Sequence, residues 1–120
     1  KAIEIQQSHW LEKRATFLND WLKLVSEKNM PLYYANKWSK ELNFSEFLMM
    51  FEYLLADVIA LKLNQSIKND DLNFNEIIQC YDLECLFSIY SDLQQKKLMV
   101  EQNVQTQLVL DELFIQLMNA

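Results

Sequence analysis

The sequence contains no glycine, and Pro31 is its only proline. Tight hairpin turns and many short loops depend on glycine, because it adopts left-handed backbone conformations without a steric cost. Leucine, glutamine, glutamate, lysine and alanine, which favour helices, dominate instead. A chain of 120 residues is also long enough to form one domain with its own core. We therefore predict a single all-α domain over residues 1–120, a compact bundle of five to six helices.

The composition also disfavours several classes of functional site. A P-loop, a dinucleotide fingerprint and a nucleophile elbow all need glycine. His9 is the only histidine, so a multi-histidine metal site cannot be built. We expect no catalytic residue, no cofactor and no metal ion. The net charge of −6 does not suit nucleic-acid binding, and we expect no direct contact with nucleic acid.

The two cysteines, Cys80 and Cys85, are expected to be free thiols. A metal site would need two more ligands, and a disulfide would need an oxidising compartment. We expect a cytoplasmic protein, and the chain is expected to be a fragment of a longer one.

Hydrophobic periodicity predicts a series of helices separated by short polar segments. Asn29 is predicted to end the first helix, Pro31 to begin the second, and Asn103 to end the fifth. The predicted helices cover residues 2–28, 31–40, 44–63, a brief stretch from 73, 82–103 and 106–118.

Three helix starts carry capping signals. Asn43 with Glu46, and Asn73 with Glu76, have the spacing of a capping box. Asp82 is a favourable N-cap because its carboxylate can accept a hydrogen bond from a free backbone N–H.

The first two helices are predicted to be amphipathic. Arg14 alone lies within the apolar sector of the first, where it could snorkel to solvent, pair with an acid or reach a partner subunit. Asp20 is placed on the opposite, solvent-facing side. In the second helix, Leu32, Ala35 and Trp38 are predicted to face inward.

The helix over residues 44–63 is apolar on almost every side. From Phe47 onward, only the charged residues Glu52, Asp57 and Lys62 interrupt it, and those charges argue against a membrane span. We predict a bundle helix that is buried on several sides, with part of its surface, including Phe51, completed by another subunit.

The last two predicted helices both have extensive apolar faces. Leu108 and Ile115 lie off the main stripe of the last helix, on a different side. They either pack on other helices of the domain or anchor a subunit interface, and both possibilities remain open. The predicted apolar face of the fifth helix is Leu83, Leu86, Phe87, Ile89, Tyr90, Leu93 and Val100. The main stripe of the last helix is Val109, Leu110, Leu113, Phe114 and Leu117.

The run from Asn103 to Leu117 resembles the C-terminal helix of the delta-prime subunit of bacterial DNA polymerase III, whose pattern is roughly Asn-Val-Asn-Pro-Gln-Leu-x-Leu-Glu-x-Leu-Leu-Leu. Asp111 stands where that family has an acid, whereas Gln105 and Thr106 depart from its Asn-Pro. The matching residues are Asn103, Val104, Gln107, Leu108, Leu110 and Leu113.

This resemblance implies a non-catalytic role in assembly. Delta prime belongs to the clamp loader, which places the sliding clamp on primed DNA, and its C-terminal domain joins those of the delta and gamma/tau subunits in a helical collar. The resemblance therefore implies an oligomerisation domain for DNA replication, with no membrane contact. Our candidate interface residues are Leu108, Ile115, Glu112, Phe51 and Arg14.

Three alternatives remain open. One is the collar domain of a sister gamma/tau subunit. Another is a free-standing helical adaptor that binds one amphipathic helix of a partner in a groove. An enzyme would need a pocket with perturbed carboxylates, for instance among Glu76, Asp82 and Glu84.

Overall fold

The computed structural model describes residues 13–63, 73–100 and 106–119. This part of the chain forms five α-helices and no strand, which confirms the predicted all-α bundle. A single 3₁₀ turn, Ile77–Gln79, lies between the third and fourth helices. The helices are α1 (Arg14–Glu27), α2 (Pro31–Glu41), α3 (Phe44–Lys62), α4 (Leu83–Val100) and α5 (Thr106–Asn119).

Some predictions fall outside the described residues. They concern the first turns of the first helix, His9, the polar segment 64–72 and the helix stop at Asn103.

A capping box begins α3, as predicted. The Asn43 side chain accepts a hydrogen bond from the Glu46 backbone N–H at 2.8 Å, and the Glu46 carboxylate accepts one from the Asn43 N–H at 3.4 Å. Asp82 caps α4 in the same way, because its carboxylate accepts the Cys85 N–H at 2.7 Å. Both local sequence signals are therefore confirmed.

The connection between α1 and α2 differs from the prediction by one residue. The left-handed residue that ends α1 is Lys28, with φ 52°, rather than Asn29. Its N–H bonds to the Leu24 carbonyl at 2.9 Å, which closes the last turn. Met30 is also left-handed, with φ 61°, and Pro31 then starts α2 as predicted.

The predicted capping box at Asn73 is wrong. The Asn73 side chain accepts a hydrogen bond from the Asn75 N–H at 2.9 Å, so it forms a local turn instead of reaching Glu76. Only one 3₁₀ turn follows before α4. Asparagine side chains often bond two residues ahead, and this competes with helix capping.

The core is built around aromatic rings from four helices. The Phe17 ring of α1 lies edge-on to Trp38 of α2 at 5.3 Å, to Phe47 of α3 at 5.3 Å and to Phe51 at 5.7 Å. Phe114 of α5 lies 6.3 Å from the same ring. Edge-to-face packing is the favourable arrangement for such rings, so this cluster holds α1, α2, α3 and α5 together.

The helix α3 is buried on several sides, as predicted, because α4 and the 3₁₀ turn pack on it and the aromatic cluster covers another side. Its buried residues are Phe47, Leu48, Met50, Phe51, Leu54, Leu55, Asp57 and Val58. None of the helices that the structure describes has the length and hydropathy needed to cross a bilayer.

Two residues predicted to face the core are exposed instead. Leu32 precedes Ala35 by three residues, and each three-residue step turns the helix 60° short of a full circle, so Leu32 drifts off the buried face. Phe87 lies about 100° around α4 from the buried Leu86 and points to solvent.

Asp20 shows the opposite error. The sequence pattern predicts Asp20 on the solvent-facing side of α1, but its side chain is buried. Its carboxylate accepts a hydrogen bond from the Lys37 ammonium at 2.7 Å and one from the Trp38 indole N–H at 3.0 Å. Both donors come from α2, so this ion pair joins α1 to α2.

Candidate interaction surface on the last helix

The inner face of α5 is firmly embedded in the bundle. It packs most extensively on α2 and also contacts α1 and α4. Its five buried residues are those of the predicted main stripe, Val109, Leu110, Leu113, Phe114 and Leu117.

A buried hydrogen-bond chain fixes the end of α5. The Tyr81 hydroxyl donates to the Leu117 carbonyl at 2.7 Å and accepts from the Trp21 indole N–H at 2.9 Å. Burial raises the pKa of Tyr81, more than the bond from Trp21 lowers it. The chain therefore links α1, the segment before α4, and the last turn of α5.

The opposite side of α5 is a ridge of apolar and acidic side chains. Leu108 is 57% exposed and Ile115 is 40% exposed. Glu112 is exposed between them, at the spacing that places all three residues on one side of a helix. We call these three residues the outer ridge. The alternative in which Leu108 and Ile115 pack on other helices of the domain is not what the structure shows.

The charges on α5 are all negative. Among the residues of α5, Asp111 and Glu112 are the only charged side chains. The Asp111 carboxylate accepts a hydrogen bond from Gln107 at 2.9 Å, and Gln116 donates to Asp92 of α4 at 2.6 Å. The outer ridge is therefore apolar at two positions and acidic between and beside them.

Phe51 was a candidate interface residue, and the structure corrects this. It is fully buried, with 0% of its surface exposed, against Phe17, Trp21 and Phe47. A side chain without exposed surface offers nothing to a partner, so Phe51 belongs to the core.

Arg14 begins α1 and is partly buried. It lies on α1, whereas the outer ridge lies on α5. Its proposed contact with a partner stays a prediction.

Two acids of α3, Glu52 and Asp57, are turned toward the rest of the domain. Glu52 accepts hydrogen bonds from Gln94 at 2.7 Å and from Lys97 at 3.0 Å. Burial acts to raise the pKa of Glu52, but these two donors and the Lys97 charge outweigh it and lower the pKa. Asp57 is buried, so neither acid lies free at a rim.

An open groove of about 490 Å³ lies where the start of α4 meets the end of α5. The Asp82 carboxylate on its wall already caps α4. Burial raises the pKa of Cys85 in the wall and of Cys80 nearby, so both thiols stay protonated at neutral pH. The lining residues are Asp82, Glu84, Cys85, Ser88, Ile89, Gln116 and Asn119.

The free cysteines were predicted, and both are free in the structure. Within residues 13–63, 73–100 and 106–119, no cluster of three histidine, cysteine or acidic side chains could hold a metal ion.

Sequence reasoning missed several exposed apolar residues outside α5. Met30 and Tyr33 project near the start of α2, Tyr53 from α3, and Leu98 from α4. Helical periodicity does not separate them from buried apolar residues, because it does not show which side of a helix a neighbouring helix covers.

Comparison with protein-family models, with curated proteins and with solved structures gives no match.

Proposed function

We propose that this chain is a non-catalytic assembly domain, similar to the C-terminal collar domain of the delta-prime subunit of bacterial DNA polymerase III. In this proposal it is cytoplasmic and holds the delta and gamma/tau subunits of a clamp loader together during DNA replication. It binds no cofactor and does not contact nucleic acid directly.

The exposed outer ridge of α5 is the observation that carries the proposal. The ridge lies within the run that resembles the delta-prime pattern. Of the matching residues, Leu110 and Leu113 are buried, whereas Leu108 is exposed. A partner subunit would remove Leu108 and Ile115 from water, and burial of such side chains drives association.

The embedded inner face of α5 holds the outer ridge in a fixed position. The hydrogen-bond chain through Tyr81 and the packing on α2 fix α5 in the bundle. The ridge therefore has one orientation before a partner binds. Little conformational entropy is lost in ordering it on binding.

Reconstitution of the loader tests this proposal. Leu108→Ser and Ile115→Ser are introduced singly into the full-length protein, which is mixed with delta and gamma/tau subunits and analysed by size-exclusion chromatography. We expect each substitution to weaken assembly at least about tenfold, since one buried aliphatic side chain is worth roughly 1.5–3 kcal/mol.

Leu98→Ser is the matched control, because Leu98 is exposed at least as much as Leu108 and Ile115 but lies on α4. It should leave assembly unchanged. Melting temperatures of the isolated domains show whether each variant is folded. Normal assembly by folded Leu108→Ser and Ile115→Ser proteins would refute the proposed interface.

A helical adaptor is the second candidate, and the groove between α4 and α5 favours it. Ser88 lines that groove, and Ser88→Arg would obstruct it without touching the outer ridge. An adaptor should lose partner binding with Ser88→Arg, whereas a collar domain that uses the outer ridge should keep it.

A further inference from the structure

The composition of the outer ridge specifies the chemistry of what binds it. Leu108, Glu112 and Ile115 repeat at four and three residues, so an acid stands between two apolar contacts along one line of α5. Asp111 adds a second carboxylate at the flank, and α5 contains no lysine or arginine. None of the ion pairs among the described residues neutralises Glu112.

We infer that the outer ridge binds an amphipathic helix of another protein that carries lysine or arginine between two apolar residues. This inference rests on the proposed function and deepens it. In the bound state, the apolar residues of the partner cover Leu108 and Ile115, and its cation meets Glu112. The two apolar contacts supply most of the affinity, and the central ion pair fixes the register.

The position of Glu112 between the two apolar residues explains why the partner helix needs a lysine or arginine opposite it. Once Leu108 and Ile115 are covered, a partner helix also removes water from the carboxylate between them. A carboxylate that loses water without a cation is costly, and a like charge opposite it is worse. The ridge therefore selects against a neutral or acidic partner helix as strongly as it selects for a basic one.

The described surface of a second copy of this chain does not fit the requirement. The outward stripes of α2, α3 and α4 carry no lysine or arginine between two exposed apolar residues at this spacing. These stripes are Leu32, Tyr33, Asn36 and Lys40 on α2; Met49, Tyr53, Ala56 and Leu63 on α3; and Phe87, Ser91 and Leu98 on α4. Because these described stripes do not match, the occupant that we propose is a different chain.

Two alanine-based helical peptides test the inference with the full chain. Both carry two leucines seven residues apart, and the position four residues after the first leucine is arginine in one peptide and glutamate in the other. Fluorescence anisotropy of the labelled peptides measures binding. We expect the arginine peptide to bind about tenfold more tightly, with the difference reduced by added sodium chloride.

Substitutions on the protein then locate the contact. Leu108→Ser and Ile115→Ser should abolish binding of the arginine peptide, whereas Leu98→Ser should not change it. Glu112→Arg should reverse the preference in favour of the glutamate peptide. Because Glu112 is exposed, this substitution leaves the core intact, and a change in peptide preference does not result from unfolding.

Three outcomes overturn the inference: equal binding of both peptides, no binding of either, or a contact that depends on Leu98 instead of Leu108. These outcomes are separate from failure of the proposed function. If loader subunits assemble normally on the Glu112→Arg protein but not on the Leu108→Ser protein, the assembly role stands and only the charge rule fails.

Discussion

The carboxylate of Asp20 lies between α1 and α2, where most of its surface is removed from water. Two donors from α2 compensate for this loss, the Lys37 ammonium and the Trp38 indole. The bond to Asp20 is also the main reason that the pKa of Lys37 is raised, and burial of the ammonium opposes it. A single residue therefore couples two helices through charge as well as packing.

Asp20→Ala should lower the free energy of unfolding by about 2–4 kcal/mol, because it leaves a buried indole N–H and an ammonium without their acceptor. Urea denaturation followed by tryptophan fluorescence measures the loss. The exposed neighbour Asn19 provides the control, and Asn19→Ala should change stability by less than about 0.5 kcal/mol. Equal effects of the two substitutions would contradict this account of Asp20.

The helix α5 combines two unlike faces, and each has a separate physical basis. Its inner face is apolar and is completed by the bond from Tyr81 to the Leu117 carbonyl. Its outer face exposes Leu108 and Ile115. The domain therefore buries only the inner of these two apolar faces.

The Tyr81 bond predicts a pH dependence of stability. Because burial raises the folded-state pKa of Tyr81 above its ordinary value of 10.0, the contribution of the neutral hydroxyl is complete below pH 10 and is lost as the pH rises beyond it. The wild-type protein should therefore lose stability in alkali more steeply than Tyr81→Phe, as measured by urea denaturation at pH 8 to about 11.

At pH 7, Tyr81→Phe should itself cost about 1–2 kcal/mol, since the Trp21 N–H loses its acceptor. Tyr33 is exposed, so Tyr33→Phe is the matched control and should retain both the stability and the alkaline slope of the wild type. If Tyr81→Phe shows the same alkaline slope as the wild type, the hydroxyl does not couple folding to pH.

Four of the five described helices share an aromatic cluster, and the fifth, α4, packs on α3. Phe17 contacts rings from α1, α2, α3 and α5, and these rings are almost fully buried. Since the cluster spans four helices, none of these four can lose it without affecting the other three. We expect the described helices to unfold as one cooperative unit.

Phe17→Ala should destabilise the protein by about 3–5 kcal/mol through loss of buried area and creation of a cavity. Phe87→Ala is the control, because Phe87 has the same chemistry on the surface, and it should cost less than about 1 kcal/mol. Far-ultraviolet circular dichroism and tryptophan fluorescence should give coincident transitions. Separate transitions would show that the helices do not form one unit.

Local signals in the sequence determined the helical class, the start of α3 at Asn43, the start of α4 at Asp82 and the inner stripe of α5. These features depend on residues within a turn or two of one another, so periodicity and capping chemistry suffice to predict them. The sequence also showed that Leu108 and Ile115 lie off the inner stripe.

Only the tertiary structure decided which side of each apolar helix meets a neighbour. Phe51 became core and Leu108 stayed at the surface because burial depends on where the other helices pass. Asp20 could not be recognised as buried, since its donors Lys37 and Trp38 lie on another helix. A periodic pattern fixes the direction of a side chain around its own helix axis, whereas its burial is set by residues that are distant in the chain.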